Sequence, residues 1–309
     1  MIFRHLFRLA AIIMMGISMV ACTSKISSLD ARPDNAYPHY TLQQDARIEY
    51  YRFGHGTQIV MIEGYGTDIT GWSRRFLARL ASRHEVIVFN HRHVGGSYAL
   101  ASPYNYNELA DDTYQLMRQL RLHHPAVFGI SMGGMVAQHV AIRYPGYISK
   151  LVLANTAIAG SKSVSPDIDT IEKMQHMPQT KWGRFYLAER LFFTTHDRIA
   201  MGWALATDRF LPNEYTEIDS RRVLGHQWLY INQWRQDDVS AIKISLLHMP
   251  VLIVNGGEDQ VIPPTNSDIL VKAIPGARML RWPHGGHAII YQYPVELADM
   301  IDDFISHSA

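Results

Sequence analysis

Short apolar runs rich in Val, Ile and Phe alternate along most of this chain with segments whose apolar residues recur at helical spacing. "QIVMIEG", "HEVIVFN", "AVFGI", "KLVLANT", "PVLIVNGGED" and "ARMLRW" read as strands. Between and after them lie "GWSRRFLARLAS", "NELADDTYQLMRQLRL", "GGMVAQHVAIRY", a segment near Ser267 to Ile274, and "PVELADMIDDFISH". In the first of these helices Trp72, Phe76, Leu77 and Leu80 share a face; in the second, Leu109, Leu116, Met117 and Leu120 do so, with Tyr114 beside them. Such alternation predicts an α/β fold with a mostly parallel sheet and helices on both faces. Ligands of such sheets bind outside the carboxyl ends of the strands, so polar residues just after each strand are the candidates for chemistry. Near the start, "YTLQQ" and "RIEYYRF" flank Asp45 and predict a hairpin. From about 157 to 245 the alternation stops. That stretch holds Trp182, Trp203, Trp228 and Trp234, is helix-prone and has no continuous strand run. It predicts a helical cap inserted over one edge of the sheet.

The 309 residues are 47% hydrophobic and 18% charged, with a net charge of +1. That is the composition of a globular chain, and it gives no reason to expect nucleic acid as partner. No glycine-rich dinucleotide fingerprint or P-loop occurs, so no cofactor is expected.

The stretch "VFGISMGGMVAQ", Val127 to Gln138, is where strand must turn sharply into helix. Gly129-Ile130-Ser131-Met132-Gly133 is a G-x-S-x-G pattern. A serine in such a turn takes strained backbone geometry, and the glycines remove the clash its neighbours would cause. The hydroxyl is then lifted clear of the sheet at a helix N-terminus, where negative charge is favoured. A helix N-cap serine is the plainer reading of the same residue.

In this motif the chain resembles the α/β-hydrolase family, over roughly residues 40 to 308. The resemblance implies a nucleophile, an acid and a histidine in that order. Ser131 matches the nucleophile. "RWPHGGHAIIY" offers His284 and His287; the family's Gly-His followed by apolar residues matches Gly286-His287-Ala288, so His287 is the expected base. "VNGGEDQVIPP" offers Glu258 and Asp259; Gly256, Asp259 and Pro263 fit the family spacing, with Glu258 as runner-up and Asp237 and Asp238 in the insert further behind. The family's oxyanion donors correspond to the backbone N–H groups of Met132 and Tyr65. Relatives often carry His-Gly-x-Gly where this chain has Glu63-Gly64-Tyr65-Gly66, which puts the packing and charge of that loop in question. In "NHRHVGGS", Arg92, Gly95 and Ser97 match a family pattern while Asn90 and His93 depart from it; Arg92 is expected to brace loops. His91-x-His93 could be two metal ligands, but no partner motif is near, so no metal is expected. His123, His124 and His139 read as surface or helix-packing residues.

The activity implied is that of a serine esterase, with thioesters and lactones also open. It would act on a small-molecule ester with an apolar group, through an acyl-enzyme on Ser131. The alternative is a catalytically silent member of the same fold serving as a binding or scaffold protein.

The N-terminus predicts an address. Arg4 and Arg8 precede an apolar run from Leu9 to Val20, too short to span a bilayer, and then Ala21-Cys22. "MVAC" resembles a bacterial lipobox with Met19 in the usual leucine position, and Cys22 is the only cysteine in the chain. The resemblance implies a lipoprotein signal over residues 1–21, a lipidated Cys22 and, with Thr23 following it, an outer-membrane anchor facing the periplasm. An ordinary cleaved signal with an incidental Cys22 is the other reading. Residues 22–36 read as a flexible tether, and residues 37–309 as a domain resembling the α/β-hydrolases, with the helical cap at about 157–245.

Overall fold

The computed structural model describes residues 36–43, 45–100, 107–176, 178, 180–193, 198–215 and 221–307. The expected signal and Cys22 lie outside the described residues, as does the tether except for Ala36, which is buried. Among the described residues the strands are β1 (His39–Leu42), β2 (Ala46–Gly54), β3 (Thr57–Ile62), β4 (His84–Phe89), β5 (Tyr98–Ala99), β6 (Ala126–Ile130), β7 (Lys150–Ala154), β8 (Val251–Gly256) and β9 (Arg278–Trp282). They form one sheet in the order β1-β2-β4-β3-β6-β7-β8-β9, with β5 added to β2. From β4 to β9 every pairing is parallel; β1, β2 and β5 supply the antiparallel edge. The predicted hairpin is β1 against β2, with Leu42 opposite Arg47.

Each central strand feeds both faces, because successive side chains point to opposite sides. Val60, Ile62, Ile87, Val127, Leu151 and Ile253 pack on one side. Ile59, Met61, Val86, Phe128, Val152 and Leu252 pack on the other. This is why the strands read as unbroken apolar runs rather than as alternating ones. The first face is covered by α2 (Glu108–Gln119), α3 (Met132–Arg143) and α9 (Thr265–Ala273); the second by α1 (Arg74–Ala81) and α11 (Pro294–Ser306). Helix α1 starts where the Ser73 hydroxyl accepts the Phe76 N–H at 3.2 Å, and its Phe76, Leu77 and Leu80 are buried as predicted. In α2 the apolar face is as read from the sequence, but Asp112 is buried there too, because Arg92 meets it. Residues 132–141 of α3 are buried all round, as befits a helix at the centre of the molecule.

Between β7 and β8 come α4 (Ile168–Gln175), α5 (Lys181–Phe192), α6 (Arg198–Thr207), α7 (Arg221–Trp234) and α8 (Asp238–Lys243). Among the described residues of this insert no strand occurs. It does more than sit over an edge. Val223, Tyr230, Ile231 and Trp234 of α7 join the first core, while Phe193, Ala204 and Phe210 join the second. Its tryptophans divide: Trp234 is fully buried and Trp228 faces the site, whereas Trp182 and Trp203 lie on the outer surface. The short helix α10 (Ile289–Gln292), the 3-10 turn Ile69–Gly71 and the two-residue β5 were not expected; none is long enough to show a period. No helix among the described residues is long and apolar enough to cross a membrane.

Candidate active site

The turn from β6 into α3 takes the predicted strained form. Ser131 has φ 56° and ψ −124°, a left-handed backbone that costs a non-glycine residue about 1–3 kcal/mol. The surroundings hold it there. Ser131 N–H donates to the Ala154 carbonyl at 2.9 Å, and the Ser131 carbonyl accepts the Thr156 hydroxyl at 2.7 Å. A methyl group at Gly129 would lie 2.6 Å from the Gly133 carbonyl carbon and 2.8 Å from Gly134 Cα, so helix and strand close on each other only through glycine. The Ser131 side chain makes no capping hydrogen bond, unlike the hydroxyl of Ser73. The N-cap reading is thereby answered.

His287 and Asp259 meet as a buried pair, Nδ1 to Oδ2 at 2.8 Å. The other carboxylate oxygen of Asp259 accepts the N–H groups of Val261 at 2.8 Å and Ile262 at 2.9 Å. Three donors on one buried carboxyl fix its plane and therefore the plane of the imidazole. The runner-up residues also pair, His284 Nδ1 with Glu258 Oε1 at 2.9 Å, but on the surface, with His284 76% exposed. Asp237 and Asp238 instead serve the start of α8 and Ser161. No hydrogen bond joins Ser131 Oγ to His287 Nε2 among the described residues; such contacts are often loose without substrate and tighten when it binds.

A residue that sequence reasoning missed ties the loops together. Asn155, just past β7, donates through Nδ2 to the carbonyls of Gly286 at 3.0 Å and His287 at 2.6 Å, and accepts the Gly256 N–H at 2.9 Å. It links the acid loop, the base loop and the strand that holds Ser131. The one signal available beforehand is its type, an Asn directly after a strand, which tolerates the φ of 44° it adopts.

The candidate oxyanion turn is residues 63–67. Gly64 presses on Ser131: a methyl there would stand 3.1 Å from Ser131 Cβ. Gly64 N–H donates to Glu63 Oε2 at 3.1 Å and Gly66 N–H to Gln227 Oε1 of α7 at 2.8 Å. Neither Tyr65 N–H, between them, nor Met132 N–H has an acceptor among the described residues. Two unspent donors flanking a strained serine are what a developing oxyanion requires. Glu63, the departure from His, is fully enclosed, and burial pushes its carboxyl up to about 8, with the bonds from Thr67 and Gly64 pulling the other way.

The cap roofs this arrangement. The Phe192 ring lies 5.4 Å from that of His287, and the Phe192 carbonyl accepts the Ala288 N–H at 3.2 Å. Trp228 meets Tyr65 edge-on at 5.8 Å. The aromatic residues thus present apolar surface to whatever group enters beside Ser131.

The "NHRHVGGS" segment is structural. Arg92 is buried and grips Asp112 through two bonds at 2.7 and 2.8 Å, with Glu108 at 2.9 Å and Asp45 at 3.4 Å. It fastens the loop after β4 to α2 and to the hairpin, which is the bracing expected of it. Asn90 donates to Glu49 and accepts the Ile69 N–H, a double role that an aspartate could not fill. His91 is buried, and burial holds its imidazole down at about 4, hence neutral. His139 packs among Tyr230 and Trp234 and is held low in the same way. Among the described residues no group of three or more His, Cys, Asp or Glu could hold a metal ion.

The sequence pattern of the alpha/beta hydrolase fold matches residues 57–294. The chain belongs to the α/β-hydrolase fold family. Among curated relatives, a polyketide synthase of Burkholderia thailandensis is 30% identical over 79% of this chain, which spans only 11% of that protein. The rhodomycin D methylesterase of a Streptomyces species is 25% identical, the match covering 75% of this chain and 85% of the methylesterase. Of solved structures, an α/β-hydrolase fold protein from Chitinophaga pinensis superposes with a TM-score of 0.77 at 22% identity, over 89% of this chain and 99% of that one. Kinship with this family supports a hydrolase in general terms.

Proposed function

We propose that this α/β-hydrolase cleaves small carboxylic esters, thioesters and lactones included, whose acyl or alcohol part is apolar. Ser131 is the nucleophile, His287 the base and Asp259 its orienting partner. The neutral imidazole takes the serine proton as Oγ attacks the carbonyl carbon, and the carbonyl oxygen becomes an anion facing Tyr65 N–H and Met132 N–H. His287 then returns the proton to the leaving alcohol, leaving an acyl-enzyme. Water activated by the same imidazole attacks the acyl carbon and releases the acid and Ser131. The observation that carries this reading is the strained, uncapped Ser131 beside two unpaired N–H donors, in a fold that also buries a His287–Asp259 pair. Two N–H donors held ready for an anion in a buried setting are worth more than the same donors in water; each typically contributes about 3 kcal/mol to the rate. The methylesterase relative points the same way.

A fluorophosphonate probe tests this reading against a silent scaffold. Covalent capture on Ser131, abolished in Ser131→Ala together with ester hydrolysis, is the expected result; an unlabelled, inert wild-type protein overturns it. The reading extends to where the enzyme works: lipidated at Cys22 in the cell envelope, on the periplasmic face of the outer membrane. The basis for that is the "MVAC" sequence and the basic, apolar run before it.

A further inference from the structure

A carboxyl group at the hinge of an oxyanion turn is an unexpected choice, because the reaction builds negative charge beside it. Glu63 is 4% exposed. Its Oε2 accepts from Gly64 N–H and from the Thr67 hydroxyl at 2.9 Å. Its Oε1 is buried with no hydrogen-bond partner among the described residues. It forms no ion pair there either. The groups that face it are Thr67 and Asp68 of its own turn, Gly71 of the 3-10 turn, Tyr291 of α10, and His91 after β4. His91 touches the main-chain carbonyl of Glu63 rather than the carboxyl, and is neutral. Asp68 is itself acidic. Arg209, with Asp208 beside it, acts on Tyr291 rather than on Glu63. A buried carboxylate without a cation is costly, which favours the neutral acid, with Oε2 accepting both bonds.

We propose that the neutral carboxyl of Glu63 is a positioning residue that holds the 63–67 turn in the shape aiming Tyr65 N–H at the reacting carbonyl, and that loss of its proton switches the enzyme off in alkali. The proposal rests on the oxyanion reading of Tyr65. Ionised, Glu63 sets a fixed negative charge one residue from Gly64, which is packed on Ser131. That charge opposes the oxyanion and draws the N–H groups of the turn toward the carboxylate. The sign follows directly. Below about 8 the carboxyl is neutral and the hole is competent; as pH rises through that value the competent fraction shrinks. Above it kcat should fall about tenfold per pH unit.

The test is kcat for phenyl butyrate, followed by pH-stat on the full-length protein from about pH 6 to about pH 10. Wild type should show the alkaline fall. Glu63→Gln is neutral at every pH and keeps an acceptor for Gly64 and Thr67; it should retain kcat within about threefold at neutral pH and lose the fall. A merely structural glutamate would give a lower, parallel profile. An unchanged alkaline fall in an active Glu63→Gln enzyme overturns the proposal alone. Protein that neither cleaves esters nor is labelled at Ser131 overturns the catalytic reading and this proposal with it. Should the variant not fold, carboxyl-carbon NMR of wild type labelled at glutamate decides instead. One glutamate titrating with the midpoint of the activity loss supports the proposal, and none doing so refutes it.

Discussion

Replacing Gly133 by alanine tests how closely the nucleophile turn and the oxyanion turn are fitted. The added methyl would sit 2.5 Å from the Glu63 carbonyl oxygen and closer still to that of Ile62, against an ordinary contact of at least 3.4 Å. Both obstacles are backbone at the end of β3, so no side chain can swing aside. The end of β3 and the start of α3 must part by about 0.9 Å at Glu63 and more at Ile62. That gap opens between Ser131 and Tyr65 N–H, across which the reacting carbonyl must fit. A misplacement of about 1 Å at a reacting centre costs about 100-fold in rate, and overpacking of this kind costs about 1–3 kcal/mol in stability. The assay is kcat/KM on a small ester, paired with thermal unfolding. Gly225→Ala is the control, since a methyl there meets nothing within 4 Å; it should leave the rate unchanged. A Gly133→Ala enzyme with wild-type kcat and an undiminished melting temperature would refute the claim that the two turns are in contact-limited register.

Three further outcomes are expected. In Asp259→Asn the Val261 and Ile262 N–H groups claim the amide oxygen, which turns the NH₂ toward His287 Nδ1 and forces the imidazole proton onto the side facing Ser131. Ester hydrolysis should drop by about 10⁴-fold with little change in melting temperature, as read by steady-state kinetics and calorimetry. Burial pushes the Asp302 carboxyl up, but bonds from Ser306, Arg83 and His84 outweigh it and hold it below the usual carboxylate range. Its stabilisation is therefore present at neutral pH and lost as pH falls through that lowered value. Denaturant titrations should show Asp302→Ala weaker by about 1–3 kcal/mol at neutral pH, with the difference shrinking below about pH 4. Cys22→Ser should release the protein from the membrane fraction without changing specific activity; a variant that stays with the membrane removes the anchor from the account.

Much of the sheet could be read in advance because its central strands are buried on both faces. "AVFGI" and "KLVLANT" announce themselves as apolar runs, and β6 and β7 fall within a few residues of the reading. Ser131, Asp259 and His287 were singled out by the family's pattern at strand ends, which Glu258 and His284 also occupy; the structure pairs Asp259 with His287 in the interior. What escaped depends on distance across the fold rather than on local pattern. Asn155 looks like any polar residue after a strand until Gly256, Gly286 and His287 converge on it. Gln227 sits in the middle of a cap helix with no neighbour in sequence to explain it, and only the packing of α7 brings it to Gly66. The burial of Asp112 follows from Arg92, twenty residues away, whose charge it balances. In the cap, Trp182 and Trp203 face solvent while Trp234 is buried; composition does not say which side of a helix is inside.

The cap is joined to the catalytic loops by their own peptide groups. Phe192 takes an N–H from the residue after His287, and Gln227 takes one from the residue after Tyr65. Selectivity and turnover are consequently not separable modules in this enzyme. Transplanting a foreign cap to alter substrate range would also disturb how the imidazole and the oxyanion turn are seated. Substitutions in α5 and α7 that shift these two contacts should therefore reach chemistry those helices never perform.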